Sequence, residues 1–319
     1  MIEKKIFIKD LKEGLLFEDY FVVKFKKPVI DYAKGFRFEI RVGDKTGEIM
    51  LKYWGGSDKN KVQKIYDSIS IDDVMLVNNI KVNNYNDQLE LSINDSSNIQ
   101  KITDFDLESM IPKTDKDIEE LKKRFFELIE SVTDQEYKKI LQNAFTEEIK
   151  QKFFISPAAM YLHHGYIGGL LEHTINVCNV CLDYLEKTEK RLDRDLLITG
   201  ALLHDYGKMY EFMVTSNIKI TNQGQLIGHI TIGATEISKI MDSLNISENK
   251  KNKIINIILS HHGKKEYGSP KEPATPEAML VFIADFLDAT IKRVCDIKEN
   301  ANTEDFFIYN KEFGNIYLE

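Results

Sequence analysis

The sequence predicts a multi-domain α+β chain in which a small five-stranded β-barrel precedes an all-α bundle. Apolar and polar residues alternate in short runs from residue 18 to about 93, the period of half-buried strands. Beyond Pro112 the apolar residues recur at helical spacing instead. All seven histidines fall between His163 and His262, so the second half carries a chemistry that the first lacks. With 319 residues, 43% hydrophobic and 29% charged, the chain is long enough for two cores of ordinary size.

Five segments read as strands: 19–26, 35–42, 47–53, 74–82 and 88–93. Asp44-Lys45-Thr46-Gly47 turns the chain between the second and third, and Asn83-Asn84-Tyr85-Asn86-Asp87 between the last two. The polar stretch 58–68, between the third and fourth, is compatible with a helix. Five strands with a helix after the third is the order of an OB-fold barrel, expected over residues 1–110.

Pro112 marks the joint to a helical domain over 111–319, with Asp115 as the expected first N-cap. Ile118, Leu121, Phe125, Leu128, Ile129 and Val132 share one helical face, and everything after the joint reads as helical. Further segments near 135–154, 169–188, 194–203, 229–243, 247–260 and 276–296 keep the period. Two interruptions stand out: a small hairpin expected over 213–226 around Asn222-Gln223-Gly224, and 263–276, which holds three of the six prolines and cannot be regular helix.

Composition narrows the function. The net charge of −8, with 17 basic and 19 acidic side chains in residues 1–110 and 26 and 32 in the rest, excludes a general nucleic-acid coat. No apolar run reaches the roughly 18–20 residues of a membrane span, and the start Met1-Ile2-Glu3-Lys4-Lys5-Ile6 lacks the apolar block of a signal peptide, so a cytoplasmic protein is expected. Three cysteines make no disulfide framework, and Cys178 and Cys181 read as core residues one helical turn apart.

Several ionisable side chains share faces with apolar ones. His173 lies on a stripe with Val177, Val180, Cys181 and Tyr184; His204 continues that of Leu197 and Ala201; His261 continues that of Ile254, Ile257 and Ile258. Asp285 sits beside Val281, Phe282 and Ala289. A lone inward histidine is most often a satisfied core residue. Several on different helices, with inward carboxylates, are costly without a cation. Asp205, next to His204, can bridge two ions, and His229 adds a candidate at a helix start. Neighbouring helical residues diverge by roughly 100°, so His261 and His262 reach one site together only if the helix ends there, as Gly263 suggests; otherwise His262 touches substrate or supports a ligand.

The order His173, His204-Asp205, His229, His261-His262, Asp285 resembles that of the HD-domain metal-dependent phosphohydrolases. More narrowly, Gly168-Gly169-Leu170-Leu171-Glu172-His173-Thr174, Gly228-His229-Ile230, Ser260-His261-His262-Gly263 and Glu266-Tyr267-Gly268-Ser269-Pro270 look like those of the YhaM-type 3′-to-5′ exoribonucleases, which place an OB fold before the HD domain. The resemblance covers essentially the whole chain. It implies that His173, His204, Asp205 and Asp285 hold one divalent ion and that Asp205 bridges to a second held by His229 and His261, with His262 as a further ligand. A nitrogen and oxygen set without thiolate suits Mn²⁺ or Fe²⁺ better than structural zinc. The family association favours Mn²⁺, with Fe²⁺, Co²⁺ and Ni²⁺ as alternatives. Asp288 rivals Asp285, which the family pattern prefers. Some relatives hold a third ion on a glutamate four residues before the first histidine, where this chain has Gly169.

Two such ions activate water and stabilise a leaving oxygen at phosphorus, so phosphoester hydrolysis is the expected reaction. Asp205 and Lys208 are the candidate catalytic residues, Lys208 offsetting phosphate charge; a solvated helix-end lysine is the alternative. OB barrels hold single strands by stacking bases on aromatic rings beside local positive charge. Phe36, Phe38, Tyr53, Trp54 and Tyr85 are the aromatic candidates, Trp54 foremost, with Lys24, Lys26, Lys27, Arg37 and Lys52 nearby. Lys264 and Lys265 follow two expected ligands and form a candidate rim, and His163 and His164 are unassigned neighbours. The expected function is a metal-dependent exoribonuclease that takes 5′-mononucleotides from the 3′ end of single-stranded RNA, with single-stranded DNA as a second substrate and a homo-oligomer left open. Direction and product come from the resemblance alone. The rivals are an HD nucleotidase or cyclic-dinucleotide phosphodiesterase, and a non-catalytic nucleic-acid-binding adaptor.

Overall fold

The computed structural model describes residues 2–160, 164–188, 192–301 and 303–319. They form two compact units, Met1–Pro112 with Thr215–Asn217, and Lys113–Val214 with Ile218–Glu319. No helix among the described residues is long and apolar enough to cross a membrane.

The first unit is an OB-fold barrel. Its strands are β1 (Leu16–Tyr32), β2 (Gly35–Asp44), β3 (Gly47–Trp54), β4 (Val74–Tyr85) and β5 (Gln88–Asn94). They run in the order β1-β2-β3-β5-β4, and a β1–β4 pairing closes the barrel. Only β3 and β5 pair in parallel within this ring. β1 serves twice, residues 16–22 pairing with β4 and 22–32 with β2. Register shifts at Val23/Phe25 and Lys27/Ile30 supply the local bend that closure requires. The alternation in the sequence is the barrel wall: Phe38, Ile40, Leu51, Tyr53, Ile80 and Leu91 are buried inside. Helix α1 (Lys59–Asp67), capped by the Asp58 side chain, adds Val62 to that core. The β4–β5 turn is tighter than the expected 83–87: the strand runs to Tyr85, and Asn86 and Asp87, at φ 51° and 61°, make the mirror-image turn that suits a twisted hairpin. A short β6 (Ile99–Ile102), too brief to show as a period, pairs with β4.

The second unit is mainly helical: α2 (Ile118–Glu130), α3 (Gln135–Ala144), α4 (Glu147–Ile155), α5 (Gly169–Lys187), α6 (Arg194–Leu203), α7 (Lys208–Glu211), α8 (Asn222–Ile227), α9 (His229–Ser243), α10 (Glu248–Ser260) and α11 (Pro276–Glu299). Four expectations are corrected here. Asp117, not Asp115, caps α2, accepting from the amides of Glu119 and Glu120. The segment 135–154 breaks at Phe145, and Thr146 caps a new helix. The hairpin of β7 (Phe212–Val214) and β8 (Ile218–Ile220) turns at 215–217, whereas Asn222-Gln223-Gly224 opens α8, whose Gly224 amide donates to Thr221 Oγ1. The chain after Pro112 is not wholly helical, since β9 (Phe307–Asn310) pairs with β10 (Gly314–Tyr317) as well. Cys178 and Cys181 are buried in the helical core, where burial pushes the Cys181 thiol up to about 12.

Candidate metal centre

The helices bring their inward polar residues to one place, mostly by their ends. His173 stands on α5; His204 terminates α6 and Asp205 follows; His229 begins α9; His261 terminates α10 and His262 follows; Asp285 sits in α11. α10 does stop before the two adjacent histidines, and Gly263, at φ 80°, takes the left-handed turn beyond them. A side chain at Gly263 would run into the Phe282 ring at 2.3 Å, so close packing here needs glycine.

Each of the five rings is held through Nδ1. His204 donates to the Ala201 carbonyl at 2.7 Å, His261 to that of Ile258 at 2.7 Å and His262 to that of Tyr267 at 3.1 Å. His173 Nδ1 meets Asp288 Oδ2 at 2.7 Å, and His229 Nδ1 meets Glu211 Oε2 at 3.0 Å. Such bonds fix both the tautomer and the orientation of a ligand ring. In a neutral ring held this way, Nε2 presents a lone pair.

Asp205 stands between two sets of these nitrogens. Its Oδ2 is 3.4 Å from Nε2 of both His173 and His204, and Asp285 Oδ1 is 3.1 Å from His173 Nε2. Its Oδ1 is 3.3 Å from His261 Nε2 and 3.6 Å from His229 Nε2. Ligand atoms of His173, His204 and Asp285 all lie within 4.8 Å of one another, as do those of His229, His261 and His262.

The charges are poised for a cation. Asp205 Oδ1 and Nε2 of His229 and His261 are buried without a hydrogen-bond partner among the described residues. Leaving buried polar atoms unpaired costs about 1–3 kcal/mol each. Nε2 of His173 and His204 face each other at 3.3 Å, and two lone pairs at that distance call for a proton or a metal between them. The Lys208 ammonium forms an ion pair with Asp205 Oδ2 at 2.6 Å. Burial pushes the Asp205 carboxyl up, but Lys208 and His204 outweigh it and hold it well below the usual range. Burial opposes charge on His173 too, yet Asp205, Asp285 and Asp288 raise its basicity well above that of a free imidazole. His262 is pushed down to about 4 by burial and by His261. Ionised carboxylates and neutral imidazoles are the forms that bind metals, and a divalent ion among these carboxylates would take the place of the proton they draw onto His173, so the donor set fits.

Two carboxylates support the rings from behind, and only Glu211 had no signal in the sequence beyond its residue type. Glu211 sits on one-turn α7 and holds both His229 Nδ1 and the His229 amide, the latter at 3.1 Å. Burial raises its pKa, and the His229 contacts overcome this and lower it. Asp288, the rival to Asp285, lies behind His173 instead; its Oδ2 also meets His164 Nε2 at 2.9 Å, and its Oδ1 accepts from Asn176 at 2.8 Å. His164 is buried beside Tyr166 and Glu172. His163 lies outside the described residues.

The expected strand contacts are dispersed. Phe38 is corrected: it is wholly buried in the barrel, stacked on Tyr53 at 4.8 Å, and cannot meet a base. Tyr53 is buried with it. Phe36 is half-buried against the same core. Arg37 and Lys27 pair with Glu39 and Lys52 with Glu90, whereas Lys24 donates to Asn217 Oδ1 and Lys26 to the Tyr66 and Ile69 carbonyls. Trp54 is half-buried on the outer face, with the Arg37 guanidinium 5.2 Å from its ring centre. Lys264 and Lys265 are exposed on the segment whose Tyr267 carbonyl holds His262.

The chain is similar to several known proteins. The family model described as HD domain matches residues 170–290. The 3′-5′ exoribonuclease YhaM of Geobacillus sp. (strain WCH70) is 32% identical over 268 residues, covering 82% of this chain and 79% of that relative. The protein of the same name from Bacillus licheniformis is 32% identical over 252 residues, covering 78% and 76%. Among solved structures, the OB domain of a Thermoplasma acidophilum protein overlaps 32% of this chain and 89% of its own, at 17% identity and a TM-score of 0.25. A barrel in the OB strand order, an HD region and similarity running through most of both chains make this protein a member of the YhaM 3′-5′ exoribonuclease family, and with it a metal-dependent hydrolase.

Proposed function

We propose that the protein removes 5′-mononucleotides from the 3′ end of single-stranded RNA, and of single-stranded DNA as a second substrate, using two divalent ions, Mn²⁺ first among them, on either side of Asp205. His173, His204, Asp205 and Asp285 would hold one ion; Asp205, His229, His261 and His262 would hold the other. The observation that carries this reading is Asp205 itself, a buried carboxylate whose two oxygens point to separate groups of ring nitrogens, Oδ1 with no hydrogen bond among the described residues. Metals in such a pair supply an activated water and charge stabilisation at the leaving oxygen.

The chain's own residues do the rest. Lys208 places an ammonium beside the centre, where it offsets charge on the phosphate being cut. Glu211 and Asp288 keep the His229 and His173 rings aimed. The barrel of residues 1–110 holds the strand and the helical domain of 111–319 cuts it. Incubating the full chain and Mn²⁺ with 5′-labelled single-stranded RNA should give a ladder that shortens from the 3′ end and releases 5′-mononucleotides. RNA left intact, or a ladder unchanged by Asp205→Asn, would overturn the reading.

A further inference from the structure

The outer face of the barrel carries a groove of about 540 Å³ lined by Trp54, Asn79, Lys81, Ser92, Asn94 and Ser96, with Leu16 and Ile93. That volume suits a small ligand. Strand register builds it. Trp54 lies opposite Asn94 across the parallel β3–β5 pair, and Ser92 is opposite Lys81 across β5–β4. All four alternate with buried residues, Tyr53, Leu91, Ile93, Ile80 and Val82, and so turn outward.

Its polar atoms are only partly engaged. Asn79 Nδ2 donates to the Ser96 carbonyl at 3.2 Å, which leaves Oδ1 as an acceptor. Asn94 Oδ1 accepts from the Ser96 amide at 2.9 Å and hydroxyl at 2.6 Å, which leaves Nδ2 as a donor. Lys81 is exposed and has no ion pair among the described residues, whereas Lys27, Arg37 and Lys52 are each paired with glutamate. Asn79 also holds φ 52° inside a strand, opposite a shift in the β1–β4 register. Non-glycine residues keep that conformation where the surroundings enforce it, commonly at binding sites.

We propose that this groove seats one nucleotide of the single strand. The base lies against Trp54, Asn79 Oδ1 and Asn94 Nδ2 meet an acceptor–donor pair on its edge, and Lys81 meets a neighbouring phosphate. Arg37 and the edge-on Tyr32 ring, 5.0 Å away, hold the indole in place. The inference rests on the strand-binding reading and moves the contact from Phe36 and Phe38 to the β3–β5–β4 face.

The test is fluorescence anisotropy of a labelled, phosphorothioate-linked 12-nucleotide RNA, resistant to cleavage, with the full-length protein in Mn²⁺. Lys81→Glu should weaken binding about tenfold at low salt and lower the salt slope by about 0.7, the value for one phosphate contact on a single strand. Trp54→Ala and Asn94→Ala should weaken it on the order of tenfold and severalfold, as expected for one stacked base and one lost edge contact. Lys45→Glu, an equal charge change in the exposed β2–β3 turn at the other end of β3 from Trp54, should stay within twofold. Wild-type binding that persists in Lys81→Glu and Asn94→Ala, or an equal loss in Lys45→Glu, overturns the groove. Failure of the wild type to bind any strand overturns the strand-binding reading itself.

Discussion

An alanine at Gly207 would put its methyl carbon 1.9 Å from the His229 carbonyl oxygen and 2.8 Å from the Gly233 amide nitrogen. Both atoms are backbone, so relief requires the first turn of α9 to withdraw by about 1 Å or more. His229 opens that helix, and its Nε2 stands 3.6 Å from Asp205 Oδ1. Metal–ligand distances tolerate only about ±0.2 Å, so an ion held by His229 as proposed would lose that donor. A displacement of that size is worth about 100-fold in rate, or about 2.7 kcal/mol. Overpacking adds about 1–3 kcal/mol of instability. The assay is RNA cleavage by the full chain across a Mn²⁺ titration, beside urea unfolding. Ile140→Val, a core change on α3, which supplies no ligand, serves as a control for stability alone. A Gly207→Ala protein with wild-type rate and Mn²⁺ dependence would refute the reasoning.

Glu211→Gln removes the charge that holds His229, and Mn²⁺ affinity by calorimetry should fall about 10–100-fold; unchanged affinity would remove Glu211 from the centre. Mn²⁺ at 100 times its Kd should add about 2.7 kcal/mol of stability and raise Tm by several degrees, and this shift should vanish in Asp205→Asn. Asp195 accepts from the Thr133 hydroxyl at 2.7 Å and from the amides of Thr133 and Asp134 at 2.9 and 2.7 Å. Burial raises its pKa, but these bonds prevail and lower it. A depressed carboxyl contributes stability above its unfolded pKa of about 3.9 and loses it as pH falls through the lower folded value. Asp195→Ala should therefore cost about 2–4 kcal/mol at pH 7 by urea unfolding, with the gap to wild type narrowing below pH 4; a gap constant with pH would argue for packing alone.

The sequence exposed what repeats and what is expensive. Alternation marked the five barrel strands, because one face of each had to be buried. It could not say which outward residues matter, since period two assigns Phe36 and Phe38 to one face without telling inside from outside. Stripes on α5, α6 and α10 marked His173, His204 and His261 because an inward imidazole stands out among isoleucines and leucines. Glu211 escaped notice because four-residue α7 has no period, and its partner is brought near only when Gly207 lets α9 approach. The 215–217 turn was missed because Asn-Gln-Gly reads as a turn until Thr221 is seen capping a helix. Lys81 escaped because its significance depends on which neighbouring lysines are paired, a property of register rather than spacing.

Whether Asp205 joins two metals can be seen directly. Crystals of the Mn²⁺-loaded protein, measured on both sides of the manganese absorption edge, should show two anomalous peaks sharing the Asp205 carboxylate. One should lie among His173, His204 and Asp285, the other among His229, His261 and His262. A single peak, or two peaks that do not share Asp205, would contradict the two-ion centre.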